Sequence, residues 1–195
     1  LTINLNYHIQ PSLFLLDIRT KRELEFDQIY TLKIMYKGNI MHGTIRGLGI
    51  YASSYTHFNH TRYGVFTHLQ PDHARKVFPS LDIPSAKAIF ETSIIHPNGL
   101  TANSNSIEKK TRMIEVDDVQ WIETQFEPTP KMSTYIFALS VSSFPYKETR
   151  YRDIRIRVYV EPLKIDDIDE IVKVTPLVLK FYEDYFDIPY PLKKL

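Results

Sequence analysis

Ile154-Arg155-Ile156-Arg157-Val158-Tyr159-Val160 decides the fold class: apolar Ile154, Ile156, Val158 and Val160 alternate with Arg155, Arg157 and Tyr159. A period of two sends successive side chains to opposite faces, as in a half-buried antiparallel strand. The same alternation recurs upstream. Tyr30, Leu32, Ile34 and Tyr36 interleave with Thr31, Lys33, Met35 and Lys37 until Gly38-Asn39 breaks the run. Thr2 to His8, Ala88 to Ile95, Val119 to Phe126 and Ser133 to Ser142 are further strand candidates. Short strands parted by Pro, Asn and Ser turns predict a mainly β fold, an antiparallel β-sandwich or curved, saddle-like sheets.

Downstream of this stretch the period changes. Ile168, Ile171, Val172, Leu179, Tyr182 and Phe186 recur at helical spacing, with Asp166 and Asp167 as expected N-caps. Pro176 falls inside the run and predicts a kink or a fresh start. Asp187-Ile188-Pro189-Tyr190-Pro191 makes a rigid exit. An aromatic helix closing a β chain reads as the opening of another unit. The expected division is therefore a β domain over residues 1–163, with 164–195 as linker and first helix of a second domain.

Composition narrows the function. Twenty-four Lys+Arg against 23 Asp+Glu leave a net charge of +1, which gives no case for a nucleic-acid-binding surface. With no cysteine, disulfides, thiol nucleophiles and thiolate metal sites are excluded. Thirteen Tyr and 11 Phe beside 6 Gly favour strands packed on aromatics. No apolar run approaches the roughly 18 residues of a membrane span. A start at Leu1 rather than Met implies a fragment or a processed product.

Candidate chemistry is sparse. His57, His60, His68 and His73 invite a metal reading, but their stretch reads as a polar loop, and no HExxH pair occurs. Solvated loop histidines are the expectation, with no metal held by this chain. Arg150, Arg152, Arg155 and Arg157 suggest a phosphate-binding stripe; against it stands a solvated face balanced by Glu148, Asp153 and Glu161. Asn59-His60-Thr61 is the sole N-glycosylation sequon, making Asn59 a possible glycosylation site. An extracellular or a cytoplasmic location both remain open, the sequon leaning to the former.

Four segments in order carry a resemblance. Gly49-Ile50-Tyr51-Ala52-Ser53-Ser54-Tyr55 is a GLYxSxY-like strand. Thr67-His68-Leu69-Gln70-Pro71, running on through Ala74-Arg75 and Phe78-Pro79-Ser80-Leu81-Asp82-Ile83-Pro84 to Lys87-Ala88-Ile89-Phe90, follows TQFEPxxARxxFPCxDEP and KAxF. Phe126-Glu127-Pro128-Thr129-Pro130-Lys131-Met132-Ser133-Thr134-Tyr135 follows FExTPxMSTY. Phe181-Tyr182-Glu183-Asp184-Tyr185-Phe186, with Ile188-Pro189-Tyr190-Pro191, completes the series. From about Asp17 to Leu195 the chain thus resembles the N-terminal β domain of the aminopeptidase N family of zinc metallopeptidases.

That resemblance implies a non-catalytic, substrate-capping domain of an enzyme that removes N-terminal residues from peptides. It implies that Gln70 helps hold the substrate's free amino group, since a buried ammonium needs acceptors and a Gln carbonyl supplies one. The alternative for Gln70 is a cap on the turn before Pro71. Arg75 and Asp82 look structural, pinning the long loop between strands. The implied zinc, its ligands and the general base belong to a catalytic domain beyond the equivalent of Leu195, so the expected partners are that domain and peptide N-termini. The exposed aromatic helix predicts self-association of an isolated fragment. Ile83 in place of Glu, and Ser143 in place of Asp, depart from the pattern. They motivate the alternative of a β-sandwich binding or scaffold domain in a catalytically inactive homologue.

Overall fold

The computed structural model describes residues 5–21, 23–42 and 47–195, and of His42 the backbone alone. The fold is mainly β, built of antiparallel sheets with one C-terminal helix, and among the described residues no sheet closes into a barrel. Strands β1 (Asn6–Gln10) and β2 (Leu15–Arg19) form a separate hairpin. A five-stranded sheet follows: β3 (Met41–His42), β4 (Gly49–His57), β5 (His60–His68), β7 (Thr101–Ser104) and β10 (Leu139–Ser142), ordered β3-β4-β5-β10-β7. Within it the short β3 pairs parallel with β4, whereas the other pairings are antiparallel.

A three-stranded sheet orders β6 (Ser93–Pro97), β9 (Val119–Phe126) and β8 (Glu108–Val116) as β6-β9-β8. The last hairpin joins β11 (Tyr146–Tyr151) to β12 (Ile154–Tyr159). Helix α1 (Asp169–Phe186) lies on that hairpin. Leu179 packs with Ile154, Ile156, Tyr151 and Tyr190, so the alternation first read at Ile154 buries its apolar face beneath the helix. Glu183, also buried, accepts the Tyr190 amide at 2.7 Å and pairs with Arg152 at 2.8 Å. The tail then runs parallel beside β12: the Leu195 amide donates to the Arg155 carbonyl at 2.8 Å, and the Arg155 and Arg157 amides donate to the Lys193 and Leu195 carbonyls at 2.9 and 3.1 Å.

A second core sits under the five-stranded sheet. Leu69, Ala74, Met132 and Phe137 are buried together, flanked by Val77, Phe78, Phe90 and Leu139. Phe78, Phe90 and Phe137 close it as a triangle of rings 5.1 to 5.9 Å apart. Aromatic pairs at such spacings contribute beyond the area they bury. Here the chain's wealth of Phe and Tyr is put to use.

Several expectations need correction. Tyr30–Tyr36 joins no sheet among the described residues; Tyr30, Leu32 and Tyr36 stay more than half exposed, because alternation without a neighbouring strand leaves the backbone groups unpaired. The first strand is shifted to Asn6–Gln10, and residues 2–4 of its expected span lie outside the described residues. β6 starts only at Ser93; Ala88 instead makes an isolated bridge to Met132. Thr134–Ile136 is a single 3-10 turn, leaving β10 to start at Leu139.

The expected polar loop around His57 and His60 is a β-hairpin. Its two-residue turn is Phe58-Asn59, both left-handed at φ 48° and 58°. The helix begins at Asp169 with Ile168 at its cap, after a 3-10 segment over Pro162–Ile168 that takes in Asp166 and Asp167. It also runs unbroken through Pro176. One and two turns beyond the missing amide, the buried Leu179 and Glu183 fasten it to the hairpin.

Candidate functional site

Gln70 sits where β5 ends and the chain turns toward the aromatic core. On one side Leu69 is 2% exposed; on the other Ala74 is fully buried. Between these anchors the His73 amide donates to the Leu69 carbonyl at 2.8 Å, closing the turn, and the Gln70–Pro71 peptide is cis. The Gln70 side chain is exposed and makes no hydrogen bond among the described residues. The turn-capping alternative therefore lacks a bond to support it. An anchored backbone carrying an unspent amide is a ready acceptor and donor pair for a ligand. Asp72, on the same turn, adds a carboxylate that is 55% exposed and lies 3.9 Å from Arg75.

The loop beyond is pinned by one carboxylate. Asp82 Oδ2 accepts from the amide and the Nε of Arg75, at 3.1 and 2.9 Å, and Arg75 Nη2 reaches the Asp82 carbonyl at 3.2 Å. Thr134 Oγ1 donates to the other carboxylate oxygen at 3.0 Å. Burial works against this charge, yet the bonds from Arg75 and Thr134 outweigh it and hold the carboxyl below its ordinary range. Arg75 and Asp82, which the resemblance implied to be structural, thus pin the loop by bonding each other. Thr134 as the third member was not foreseen, nor was Ser133, whose hydroxyl donates to the Pro84 carbonyl at 2.6 Å.

The second and third sequence segments consequently meet in space. Ala88 and Met132 exchange backbone hydrogen bonds at 3.0 Å each, and Thr129 bonds Phe90 through both its amide and its hydroxyl. Their signal in sequence was Thr129 between Pro128 and Pro130, followed by Ser133-Thr134. Such residues bond nearby backbone groups rather than continue strands.

The other candidates fall apart geometrically. His57 faces His60 across the hairpin end, whereas His68 stands at the far end of β5 and His73 beyond it. These histidines lie on or after strands, with His60 and His68 exposed. Among the described residues no group of three or more His, Asp or Glu side chains is placed to hold a metal. Zinc does not fit this part of the chain.

The arginine stripe is spent on carboxylates. Arg155 pairs with Glu108, Arg157 with Glu148 at 2.7 Å and Arg152 with Glu183. Lys194 reaches the other Glu108 oxygen at 3.1 Å. Glu108 and Glu183 lie far from the arginines in sequence, so their part in the balance was not readable there. Ser143, one of the two departures, bonds the Tyr55 hydroxyl. Ile83 remains 55% exposed.

Among the described residues, hollows lie elsewhere. One of about 190 Å³ is lined by Phe66, Ser142, Phe144, Arg155, Arg157 and Tyr159, among others; a broader one of about 590 Å³ borders the β4–β5 turn at His57, Thr61 and Arg62. Gln70 lines neither. No helix of the described residues is long and apolar enough to cross a membrane.

Comparison with known proteins places these features. The sequence model of the peptidase M1 N-terminal domain matches residues 5–136. Aminopeptidase N of Rattus norvegicus is 40% identical over 149 residues, 75% of this chain and 15% of its own length. Aminopeptidase Ey of Gallus gallus is 38% identical over 148 residues, again 75% of this chain and 15% of its own length. The thyrotropin-releasing hormone-degrading ectoenzyme of Rattus norvegicus is 34% identical over 192 residues, covering 97% of this chain and 17% of itself. The chain therefore spans about a sixth of the length of these curated relatives.

Proposed function

The chain belongs to the peptidase M1 N-terminal domain family, and on that premise we propose that it is the substrate-capping, non-catalytic domain of a zinc-dependent aminopeptidase. In this reading residues 1–163 are the β domain and 164–195 lead into the catalytic domain. That domain, the partner of this one, supplies the zinc and the hydrolytic groups. Gln70 offers its side-chain oxygen to the ammonium of a peptide N-terminus. An ammonium leaving water must recover its hydrogen bonds, and an acceptor on an anchored turn recovers one with only its own side chain left to order.

The observation that carries the reading is the state of Gln70: an exposed amide without a hydrogen bond, on a turn anchored by Leu69 and Ala74. A wall at that point leaves no room for residues preceding the bound amino group, which favours removal of terminal residues over internal cleavage. The exposed aromatic face of α1, with Phe181, Tyr182, Tyr185 and Phe186 each more than half exposed, is the surface through which the β domain adjoins the rest of the parent enzyme. In an isolated fragment that face drives self-association.

The test uses the full-length parent and two matched peptides, one with a free and one with an acetylated N-terminus. Stepwise release of residues from the free peptide, with the acetylated one untouched, is expected. Internal cleavage of both at similar rates contradicts the capping role.

A further inference from the structure

We propose that Asn59 is an N-glycan acceptor, carried at a solvent-facing tip at the opposite end of β5 from Gln70. Asn59-His60-Thr61 is the only Asn-x-Ser/Thr triplet in the 195 residues. A sequon alone is a weak signal; its placement makes the case. Phe58 and Asn59 form the two-residue turn of the longest hairpin of the five-stranded sheet, with nine paired positions from Gly49↔His68 to His57↔His60. The left-handed backbone at both turn residues, φ 48° and 58°, makes a tight turn whose twist matches the flanking strands and places Asn59 at the very end of the hairpin.

Asn59, His60 and Thr61 are all exposed. Neither the Asn59 amide nor the Thr61 hydroxyl makes a hydrogen bond among the described residues, so both groups the transfer requires are free. The rings of His57 and Phe58 lie 4.2 Å apart at the turn, and Phe58 is 83% exposed.

The modification joins Asn59 Nδ2 to C1 of the first sugar of a polyprenyl-pyrophosphate-linked oligosaccharide. The Nδ2–C1 bond forms as the bond from C1 to the pyrophosphate oxygen breaks; the carrier pyrophosphate leaves and one Nδ2 proton passes to solvent. At about 3.3 Å per residue, the length of β5 separates Asn59 from Gln70 by roughly 30 Å. A glycan on this tip therefore keeps the hairpin end in solvent in the full-length protein without touching the substrate end.

The experiment is mass spectrometry of the full-length protein purified from its own cells, digested after peptide-N-glycosidase treatment in heavy-oxygen water. The peptide bearing Asn59 is expected as heavy-oxygen Asp. Expressed in secreting animal cells, Asn59→Gln and Thr61→Ala should each lose one glycan in gel mobility, while Thr61→Ser keeps it. Unmodified Asn59 in the native protein overturns the proposal, as does an unchanged mobility for Thr61→Ala. Neither readout depends on peptidase activity, so failure here is separable from failure of the aminopeptidase reading.

Discussion

Thr67 and Leu139 exchange two hydrogen bonds through one hydroxyl: Thr67 Oγ1 accepts the Leu139 amide at 3.0 Å and donates to the Leu139 carbonyl at 3.3 Å. The pair lies just past the Ser140↔Phe66 register of β5 and β10, where regular pairing stops. It extends the ladder to within three residues of Gln70. A side chain here replaces a backbone partner, which explains a Thr in the position that opens the Thr67-to-Phe90 segment.

Thr67→Val keeps the β-branched shape but removes both bonds and strands the Leu139 amide. The expected loss is about 1–3 kcal/mol of unfolding free energy, read from urea denaturation of the chain. An unchanged midpoint would show that water replaces the hydroxyl.

Asp82→Asn removes the charge from the loop pin while keeping its shape. Arg75 then faces a neutral amide, and the three donors on the carboxylate no longer all find an acceptor. A destabilisation of about 2–3 kcal/mol is expected. Limited proteolysis should open the 70–90 segment before the β8–β9 hairpin. Cleavage that begins in β8–β9 instead would place the weak point elsewhere.

Glu123 titrates against the acid limb of stability. Hydrogen bonds from Arg112, Gln125 and Ser93 hold its carboxyl at about 2, against 4.5 for the free group. A folded-state value depressed in this way stabilises the fold fully above about pH 4.5, and the contribution is lost as pH falls from there toward 2. Glu123→Gln should therefore flatten the dependence of melting temperature on pH between 4.5 and 2. A wild-type slope in the variant would mean that other carboxylates dominate acid unfolding.

Leu179→Ala empties the contact that fastens α1 to β11–β12. Large-to-small changes at buried sites cost about 2–5 kcal/mol. The loss should appear as amide exchange spreading through residues 169–186 while the β4–β5 hairpin stays protected. Uniform loss of protection across both would show that helix and sheets unfold as one.

How far the sequence spoke for itself varied with the partner each element needed. Ile154–Tyr159 was legible because it alternates, and both it and Val119–Phe126 find a partner across a short hairpin turn. Tyr30–Tyr36 alternates as well, but a period of two encodes a face and not a neighbour. The β4–β5 turn was hidden because its left-handed positions are held by Phe58 and Asn59, without the glycine that usually announces such a turn.

The fresh start expected at Pro176 is absent for a related reason. A local breaker was outweighed by Leu179 and Glu183, whose partners lie in another element. Around the candidate site, where Gln70 is the proposed contact, the structural Arg75 and Asp82 were legible through the family resemblance. Thr134 was not, since nothing local links it to a carboxylate 52 residues earlier.

The capping claim stands or falls on Gln70. The direct measurement is steady-state kinetics of the full-length parent carrying Gln70→Ala, on a peptide with a free N-terminus. Loss of a hydrogen bond to a charged ammonium predicts kcat/KM lower by about 10-fold or more, with unfolding temperature unchanged because the side chain is exposed and makes no bond within the fold. Turnover and affinity both equal to wild type would contradict the account.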